Sequence, residues 1–231
     1  MIAVIIPTYN ERENIVPIIT SIKKNLPKAK IIVVDDTSPD GTANLVKKIK
    51  NIHLIVNKKK LGLGKAYLIG MDYAINKLNA NILIEIDADL SHDPRELPKL
   101  IELIKNNDLV LGSRYIKGGS IPKEWPFYRK FLSTAGNLFI RLMLGRKIKD
   151  WSTGYRAIKA EVYKNIRNEI DKEMFYGYTF QIGFLYKAMK KGYKIAETPI
   201  HFKDRKKGKS KLGPDFLFNT FLYILKVKLN I

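Results

Sequence analysis

An α/β fold with a mostly parallel sheet covered by helices is what this sequence predicts, and two observations carry the prediction. Short Ile/Val-rich runs, apolar on both faces, alternate with amphipathic helical patterns through the first 112 residues. That is the rhythm of a parallel sheet sheltered on both sides. Polar signatures then close two of those runs: Pro7-Thr8-Tyr9-Asn10-Glu11 and, further on, Asp87-Ala88-Asp89-Leu90-Ser91-His92. Ligands of an open α/β sheet bind at the carboxyl ends of its strands, so both signatures stand over one crevice. The acidic pair supplies the oxygen ligands that a hard divalent metal needs when it bridges phosphates. The combination points to an enzyme that handles a nucleoside diphosphate.

The elements follow in order. Residues 3–7 form a strand, since Ala3-Val4-Ile5-Ile6 is a continuous apolar run ending at Pro7, and 14–25 form a helix. A second strand, 31–35, is followed by Asp40-Gly41-Thr42, a turn and helix cap for 41–50. Residues 53–56 are a short strand and 63–78 a helix opened by Gly62-x-Gly64. The run Ile82-Leu83-Ile84-Glu85-Ile86 is the fourth strand, with Glu85 pointing away from the acidic pair as a structural residue. Asp93 before Pro94 caps a helix over 94–106, and 109–112 is the fifth strand.

Beyond Gly112 the rhythm breaks, and 113–126 is a Gly- and Pro-containing loop. A helix over 127–144 carries Phe131, Leu132, Ala135, Leu138, Phe139, Leu142 and Met143 against Arg129, Lys130, Ser133, Asn137 and Arg141. A further helix covers 178–191, a strand pair or extended segment 194–202, a basic loop 204–212, and an apolar helix 214–229. The 127–144 and 214–229 helices fit either packing on the sheet or lying in a membrane interface, where an apolar face and basic residues belong together. The chain is expected to be one domain over 1–231: a nucleotide-binding half (1–112), an acceptor half with its closing loop (113–212) and the C-terminal amphipathic helix (213–231).

Composition narrows the function. Hydrophobic residues make up 45% of the 231, enough for a sizeable core. With no cysteine there is no disulfide or thiolate nucleophile, and His53, His92 and His201 lack the spacing of a zinc cluster. The net charge of +20 favours anionic partners, whether phosphorylated substrates, an anionic membrane or nucleic acid. A lysine-rich proteome from a hot environment gives the same excess. No recognition module for nucleic acid is visible, so no nucleic-acid partner is expected. Met1 runs straight into a strand with no leader pattern, and no apolar stretch reaches the roughly 20 residues of a membrane span. A cytoplasmic protein peripheral to the cytoplasmic face of a membrane is the expectation.

Three constellations carry chemistry. Asp87-x-Asp89 is a metal-binding pair or, with Asp93, a set of caps. In Asp35-Asp36-Thr37-Ser38-Pro39-Asp40-Gly41-Thr42 the last three residues suffice for the turn, leaving a carboxylate to accept from a nucleobase or ribose. Asn57-Lys58-Lys59-Lys60-Leu61-Gly62-Leu63-Gly64-Lys65 places backbone N–H groups and Lys65 where a donor anion can be met; a solvated basic turn explains it equally well.

The motifs above, with Gly112-Ser113-Arg114-Tyr115-x-x-Gly118-Gly119, Asp150-Trp151-Ser152-Thr153-Gly154-Tyr155-Arg156, Gly177-Tyr178-Thr179-Phe180-Gln181 and Phe202-x-Asp204-Arg205-x-x-Gly208-x-Ser210-Lys211-Leu212, stand in an order that resembles family-2 glycosyltransferases of the Rossmann-like GT-A fold. The likeness is greatest to the dolichol-phosphate mannosyltransferases. It implies that Pro7, Tyr9, Glu11, Val34 and Asp36 hold the nucleoside, that Asp87 and Ala88 touch the sugar nucleotide, and that Asp89 binds Mg²⁺ or Mn²⁺. Ser91 stands where a second metal ligand is expected, and as a weak neutral ligand it leaves water to complete the shell. Arg114, Arg129 and Ser133 would bind the acceptor phosphate, and Arg205 and Lys211 would close over the donor diphosphate. Gly183 departs from the family, which often has Glu there. Some relatives carry membrane-spanning helices after the catalytic part; without them the chain needs its interfacial helices or a membrane partner subunit to reach a lipid.

The resemblance implies inverting transfer of mannose from GDP-mannose to dolichyl or polyprenyl phosphate. The acceptor is already an anion and needs positioning rather than a base, which agrees with the lack of an obvious catalytic histidine. Transfer of glucose or another hexose from a UDP-sugar, to polyprenyl phosphate or a glycan hydroxyl, is the alternative; a hydroxyl acceptor would need a base, for which Asp150 is the candidate.

Overall fold

The computed structural model describes residues 1–171, 179–205 and 215–229. In chain order the elements are β1 (Ile2–Thr8), α1 (Ile15–Asn25), β2 (Lys30–Asp35), α2 (Thr42–Val46), β3 (Ile52–Val56), α3 (Leu63–Asn76) and β4 (Ile82–Glu85). A 3-10 turn, Pro94–Glu96, leads into α4 (Leu97–Ile104), then β5 (Leu109–Ser113), α5 (Phe127–Leu144), β6 (Arg156–Lys159), α6 (Ala160–Asp171), α7 (Thr179–Lys190), β7 (Ile195–Pro199) and α8 (Asp215–Leu229).

The strands form one sheet in the order β3-β2-β1-β4-β6-β5-β7. β1 pairs in parallel with β2 and β4, β2 with β3, and β5 with β7. Only β6 runs against its neighbours β4 and β5 among the described strands. The mostly parallel sheet is therefore as expected, but β6 and α6 fall where no element was predicted. The chain goes outward from β1 to β2 and β3, then returns to β4 on the other side of β1. That reversal opens the crevice at the carboxyl ends of β1 and β4, the place where such sheets bind ligands.

Both faces of the sheet are covered, which is why its strands are apolar on both sides. Val4, Ile6 and Val33 pack against Ile15, Ile18, Ile22, Leu97 and Leu100 of α1 and α4. Ile5, Val34 and Leu83 pack on the other face against Tyr67, Met71, Phe180 and Phe184 of α3 and α7. α3 approaches closely enough that a Cβ at Gly70 would lie 2.5 Å from Ile5 Cγ2, so only glycine fits there.

The expected helix over 41–50 is a short one, Thr42–Val46, and the extended segment 194–202 resolves into β7 plus a bridge from Ser120 to His201. α5 and α8 lie together, with Phe139 and Phe221 stacked at 5.4 Å. No described helix is long and apolar enough to cross a membrane.

Candidate active site

Three turns at strand ends build the crevice, and each holds a non-glycine residue in the left-handed region: Asn10 (φ 57), Thr37 (φ 61) and Leu90 (φ 63). Such backbone costs on the order of 1–3 kcal/mol and persists only where its surroundings fix it. Here they do. The Asn10 N–H donates to Ser38 Oγ (2.9 Å) and the Glu11 N–H to Thr42 Oγ1 (3.0 Å), locking the β1 turn onto the β2 turn. Thr37 Oγ1 donates to the Asn57 carbonyl at 2.6 Å. The Ser91 N–H donates to Asp89 Oδ1 at 3.0 Å, closing the loop around Leu90.

The two carboxylates at the end of β2, Asp35 and Asp36, are both engaged by the protein. Asp35 is fully buried and accepts from Thr8 Oγ1 (2.8 Å) and Ser38 Oγ (2.6 Å). Asp36 Oδ1 accepts from Asn57 Nδ2 (2.7 Å), and its Oδ2 from the N–H groups of Leu61 and Gly62 (3.0 and 2.7 Å). The glycine-containing loop thus meets an anion, but the anion is Asp36. Lys65 turns aside as well, pairing with Asp171 at 2.7 Å. Val34 is a core residue with no exposed surface, and Pro7, its partner in register, is buried beside it. Tyr9 reaches the crevice with the ammonium of Lys60 3.9 Å from its ring centroid.

At the end of β4 the structure brings the predicted donor groups together. Arg205 Nη2 donates to Asp89 Oδ2 at 2.8 Å, and its Nη1 lies 3.6 Å from Glu11 Oε1. Burial opposes the charge on Asp89, but Ser91 and the Arg205 guanidinium outweigh it and hold its pKa below the ordinary carboxylate range. Asp87, 32% of whose side chain is exposed, is pushed up by its enclosure and then by the Asp89 charge. Of this coupled pair, Asp89 keeps the negative charge. Ala88 between them is buried.

A divalent metal fits this arrangement. A cation already stands on Asp89 in the form of Arg205, and the buried Ser91 Oγ beside it has no hydrogen-bond partner. No three His, Cys, Asp or Glu side chains among the described residues are placed to hold a metal ion by themselves. Diphosphate oxygens and water would complete the coordination, as they do where magnesium bridges phosphates.

His92 is 2% exposed, stacked on Tyr155 at 4.9 Å and met edge-on by Phe202 at 5.3 Å. Burial lowers its pKa to about 4, so the ring is neutral near pH 7.

The residues predicted to meet the acceptor phosphate each have protein partners. Arg114 is clamped by Asp150: its Nε donates to Oδ2 and Nη2 to Oδ1, both at 2.8 Å, while its backbone N–H reaches Oδ2 at 2.9 Å. Arg129 lies 4.0 Å from the Trp125 ring centroid and pairs with Asp204 at 3.2 Å. Ser133 Oγ shares a 2.6 Å hydrogen bond with the Tyr115 hydroxyl. The segment 204–205 therefore touches both groups, Asp204 holding Arg129 and Arg205 holding Asp89. Lys211, the remaining predicted residue, lies outside the described residues.

Sequence reasoning missed the buried floor. Glu85 is fully buried, 3.7 Å from Arg156 Nε, its partner in register on β6, and near enough to Asp87 for its charge to help raise that carboxyl's pKa. Arg156 donates to the carbonyls of Thr153 (2.8 Å) and Trp151 (3.3 Å), fixing the loop that carries Asp150. Tyr67 donates to Asp87 Oδ1 at 3.3 Å. Alternation alone was a usable signal, because residues 85 and 87 fall on one side of an extended chain.

The family model described as glycosyl transferase family 2 matches residues 3–167. A polyprenol monophosphomannose synthase from Mycolicibacterium smegmatis is 40% identical over 217 residues, covering 91% of this chain and 80% of that protein. An undecaprenyl-phosphate mannosyltransferase from Micrococcus luteus is 38% identical over 213 residues, 90% of this chain and 86% of the relative. Among solved structures, glucosyl-3-phosphoglycerate synthase from Mycobacterium tuberculosis, in complex with Mn²⁺, UDP and phosphoglyceric acid, superposes with a TM-score of 0.71 at 18% identity, over 99% of this chain and 78% of that one. That likeness shows a shared GT-A-like fold.

Proposed function

The chain belongs to glycosyl transferase family 2 and is a glycosyltransferase, and from that premise we propose that it transfers mannose from GDP-mannose to a polyprenyl or dolichyl phosphate with inversion at the anomeric carbon. One observation carries the choice of acceptor. α5 presents Arg129 and Ser133 to the crevice and, along the same helix, exposes Phe127 (84%), Tyr128 (66%), Phe131 (60%) and Leu132 (45%). A phosphate site at the root of an exposed apolar face suits a lipid phosphate. α8, with Phe218, Phe221 and Leu222 exposed, extends that face. The protein works peripherally, at the cytoplasmic face of a membrane, through these two helices.

In the proposed reaction a phosphate oxygen of the acceptor attacks the anomeric carbon, and the bond from that carbon to the donor diphosphate breaks, releasing GDP. The nucleotide half, 1–112, holds the nucleoside near Tyr9 and Glu11; the acceptor half, 113–212, holds the lipid phosphate by Arg114, Arg129 and Ser133. Asp89 with Ser91 would hold a Mg²⁺ or Mn²⁺, which would supply positive charge against the leaving diphosphate. Arg205 is the described cation nearest that position, and Lys211 is proposed to join it. The incoming phosphate is already ionised, so a neutral His92 suffices. A hydroxyl acceptor is disfavoured: Asp150, its only nominated base, is fully buried and spent on Arg114.

The test is transfer of radiolabelled sugar from GDP-mannose and UDP-glucose, in parallel, to a short polyprenyl phosphate with Mg²⁺ or Mn²⁺. Product from GDP-mannose alone is expected. Product from UDP-glucose alone would overturn the donor assignment, and transfer to a glycan hydroxyl but not to the lipid phosphate would overturn the acceptor.

A further inference from the structure

α5 carries two of the residues assigned to the acceptor phosphate, yet its first ten residues include no buried anchor: none of 127–136 is buried. Arg129 and Ser133 lie in that stretch, and their partners Asp204 and Tyr115 both reach solvent. The first buried residue of the helix is Asn137, 5% exposed, followed on the same stripe by Ile140 and Leu144. An apolar side chain would serve that packing alone. The amide of Asn137 instead brackets a loop of the site. Its Nδ2 donates to the Lys149 carbonyl, and its Oδ1 accepts the Trp151 N–H at 3.0 Å. Asp150, between those two residues, is the carboxylate that clamps Arg114.

Three elements grip this loop. Glu197 of β7 accepts from the N–H groups of Lys149 and Asp150 at 2.9 and 3.0 Å. Arg156 of β6 donates to the carbonyls of Trp151 and Thr153. Both strands belong to the sheet, and β5, which leads into Arg114, is bonded between them. The third grip is α5, which lies outside the sheet. Asn137 is therefore a buried joint between two sides of the proposed acceptor site, with Arg114 on the sheet side and Arg129 and Ser133 on the helix side. The exposed face of the helix is what a membrane can act on. Phe127, Phe131, Leu138 and Leu142 are exposed along α5, and a lipid surface takes up such a face and fixes the helix that carries it. A surface that binds one seating of α5 better than others favours that seating, and Asn137 passes it to the backbone on either side of Asp150.

We propose that Asn137 is a positioning residue for the acceptor phosphate, coupling the seating of α5 on a lipid surface to the Arg114–Asp150 clamp. This rests on the reading of Arg114, Arg129 and Ser133 as acceptor residues and of α5 as interfacial. It adds a consequence: the membrane tightens the phosphate site as well as gathering the lipid.

The test measures transfer from GDP-mannose to a polyprenyl phosphate short enough to stay in water, with and without vesicles of phosphatidylcholine and phosphatidylglycerol. For the wild type, vesicles are expected to lower the acceptor KM about fivefold or more, the lower end of usual coupling between sites, and to leave the donor KM unchanged. Asn137→Leu keeps the volume and removes both hydrogen bonds. It should bind vesicles as the wild type does, raise the acceptor KM about tenfold and abolish the vesicle effect on it, with kcat and the donor KM unchanged. Glu197→Gln loosens the same backbone from the sheet, so it should raise the acceptor KM but keep the vesicle effect. A wild-type acceptor KM in Asn137→Leu, a vesicle effect that survives in it, or a wild-type protein whose acceptor KM ignores vesicles overturns the proposal. A parallel rise in the donor KM marks a structural role and overturns it as well. Should Asn137→Leu not fold, Asn137→Asp, which keeps the acceptor for the Trp151 N–H and loses the donor to Lys149, decides by the same readings. Wild-type protein that transfers to no polyprenyl phosphate, with or without vesicles, overturns the proposed function instead.

Discussion

Arg205→Gln should change two properties of this protein in opposite directions. The Arg205 guanidinium sits 2.8 Å from Asp89 Oδ2, with 22% of the Arg205 side chain and 11% of the Asp89 side chain exposed. A divalent ion bound through that oxygen cannot share it with a guanidinium, so in the donor-free protein the metal must displace Arg205. Hydrogen bonds to charged groups contribute roughly 1.5–3 kcal/mol. Partial exposure of Arg205 and the ordering of its long side chain put this one at the lower end, about 1.5 kcal/mol. Removing the competing cation should then tighten Mn²⁺ binding about tenfold, since 1.4 kcal/mol is a factor of ten. The same substitution should slow transfer by about 10²- to 10³-fold, the usual cost of deleting a group that meets developing charge. Mn²⁺ affinity is read by electron paramagnetic resonance of the free ion during titration of donor-free protein, and the transfer rate by single turnover. Unchanged or weaker Mn²⁺ binding would refute the argument, because Arg205 would then not occupy the metal's position. Arg205→Lys, which keeps a point charge but loses the planar fork, should fall between the two in both measurements.

Asp150→Ala should cost about 3–5 kcal/mol in chemical denaturation, because it leaves the Arg114 charge buried without its partner, whereas Arg114→Met with Asp150→Leu should recover most of the loss. A pH dependence follows from Glu85, whose pKa burial raises from 4.5 to about 7 against the pull of Arg156. Between those values the folded state holds a proton that the unfolded chain has released, so this contribution is complete below pH 4.5 and is lost as pH rises through about 7. It amounts to up to about 3 kcal/mol; Glu85→Gln should flatten that part of the stability profile, and an unchanged profile would place the titration elsewhere. Phe131→Asp with Leu132→Asp should weaken binding to anionic phospholipid vesicles at least tenfold, each apolar side chain being worth about 1.5–3 kcal/mol, while leaving transfer to a water-soluble short-chain acceptor intact. Equal vesicle binding would remove α5 from the membrane interface.

The first 112 residues were legible because burial on both faces writes a strand as an unbroken apolar run, and β1, β2 and β4 are such runs. β6 was not legible. It is four residues long and begins and ends with a basic side chain, and Arg156 can be buried only because Glu85 lies opposite it on β4. That pairing joins residues 71 apart, which no local pattern records. α6 carries its buried side chains at Val162, Tyr163, Ile166 and Ile170, a helical spacing diluted by the charged residues between them. The site divides in the same way. Asp89 and Glu11 belong to strand-end turns whose position follows from the fold class, and both meet Arg205. Asp36 and Lys65 depend on how the 57–62 loop folds back and where α6 ends, so their protein partners could not be foreseen.

A transfer between two phosphate anions requires cations, and free buried cations are costly. The chain resolves this by holding each arginine of the site on a carboxylate: Arg205 on Asp89, Arg129 on Asp204, Arg114 on Asp150. On the proposed assignment, substrate binding then exchanges one anion for another instead of desolvating a new charge. The three pairs differ in how readily they exchange. The Asp204 side chain is 43% exposed and can turn into water when a phosphate arrives at Arg129. Asp150 is fully buried and held through its backbone N–H by Glu197 Oε1 at 3.0 Å, so it cannot leave. On that assignment Arg129 is the arginine able to exchange its carboxylate for the lipid phosphate. Arg114, whose Nε and Nη2 are already engaged by Asp150 and Ser152, contributes chiefly its charge. Substitution of Arg129 should accordingly raise the KM for the acceptor, and substitution of Arg114 should disturb folding first.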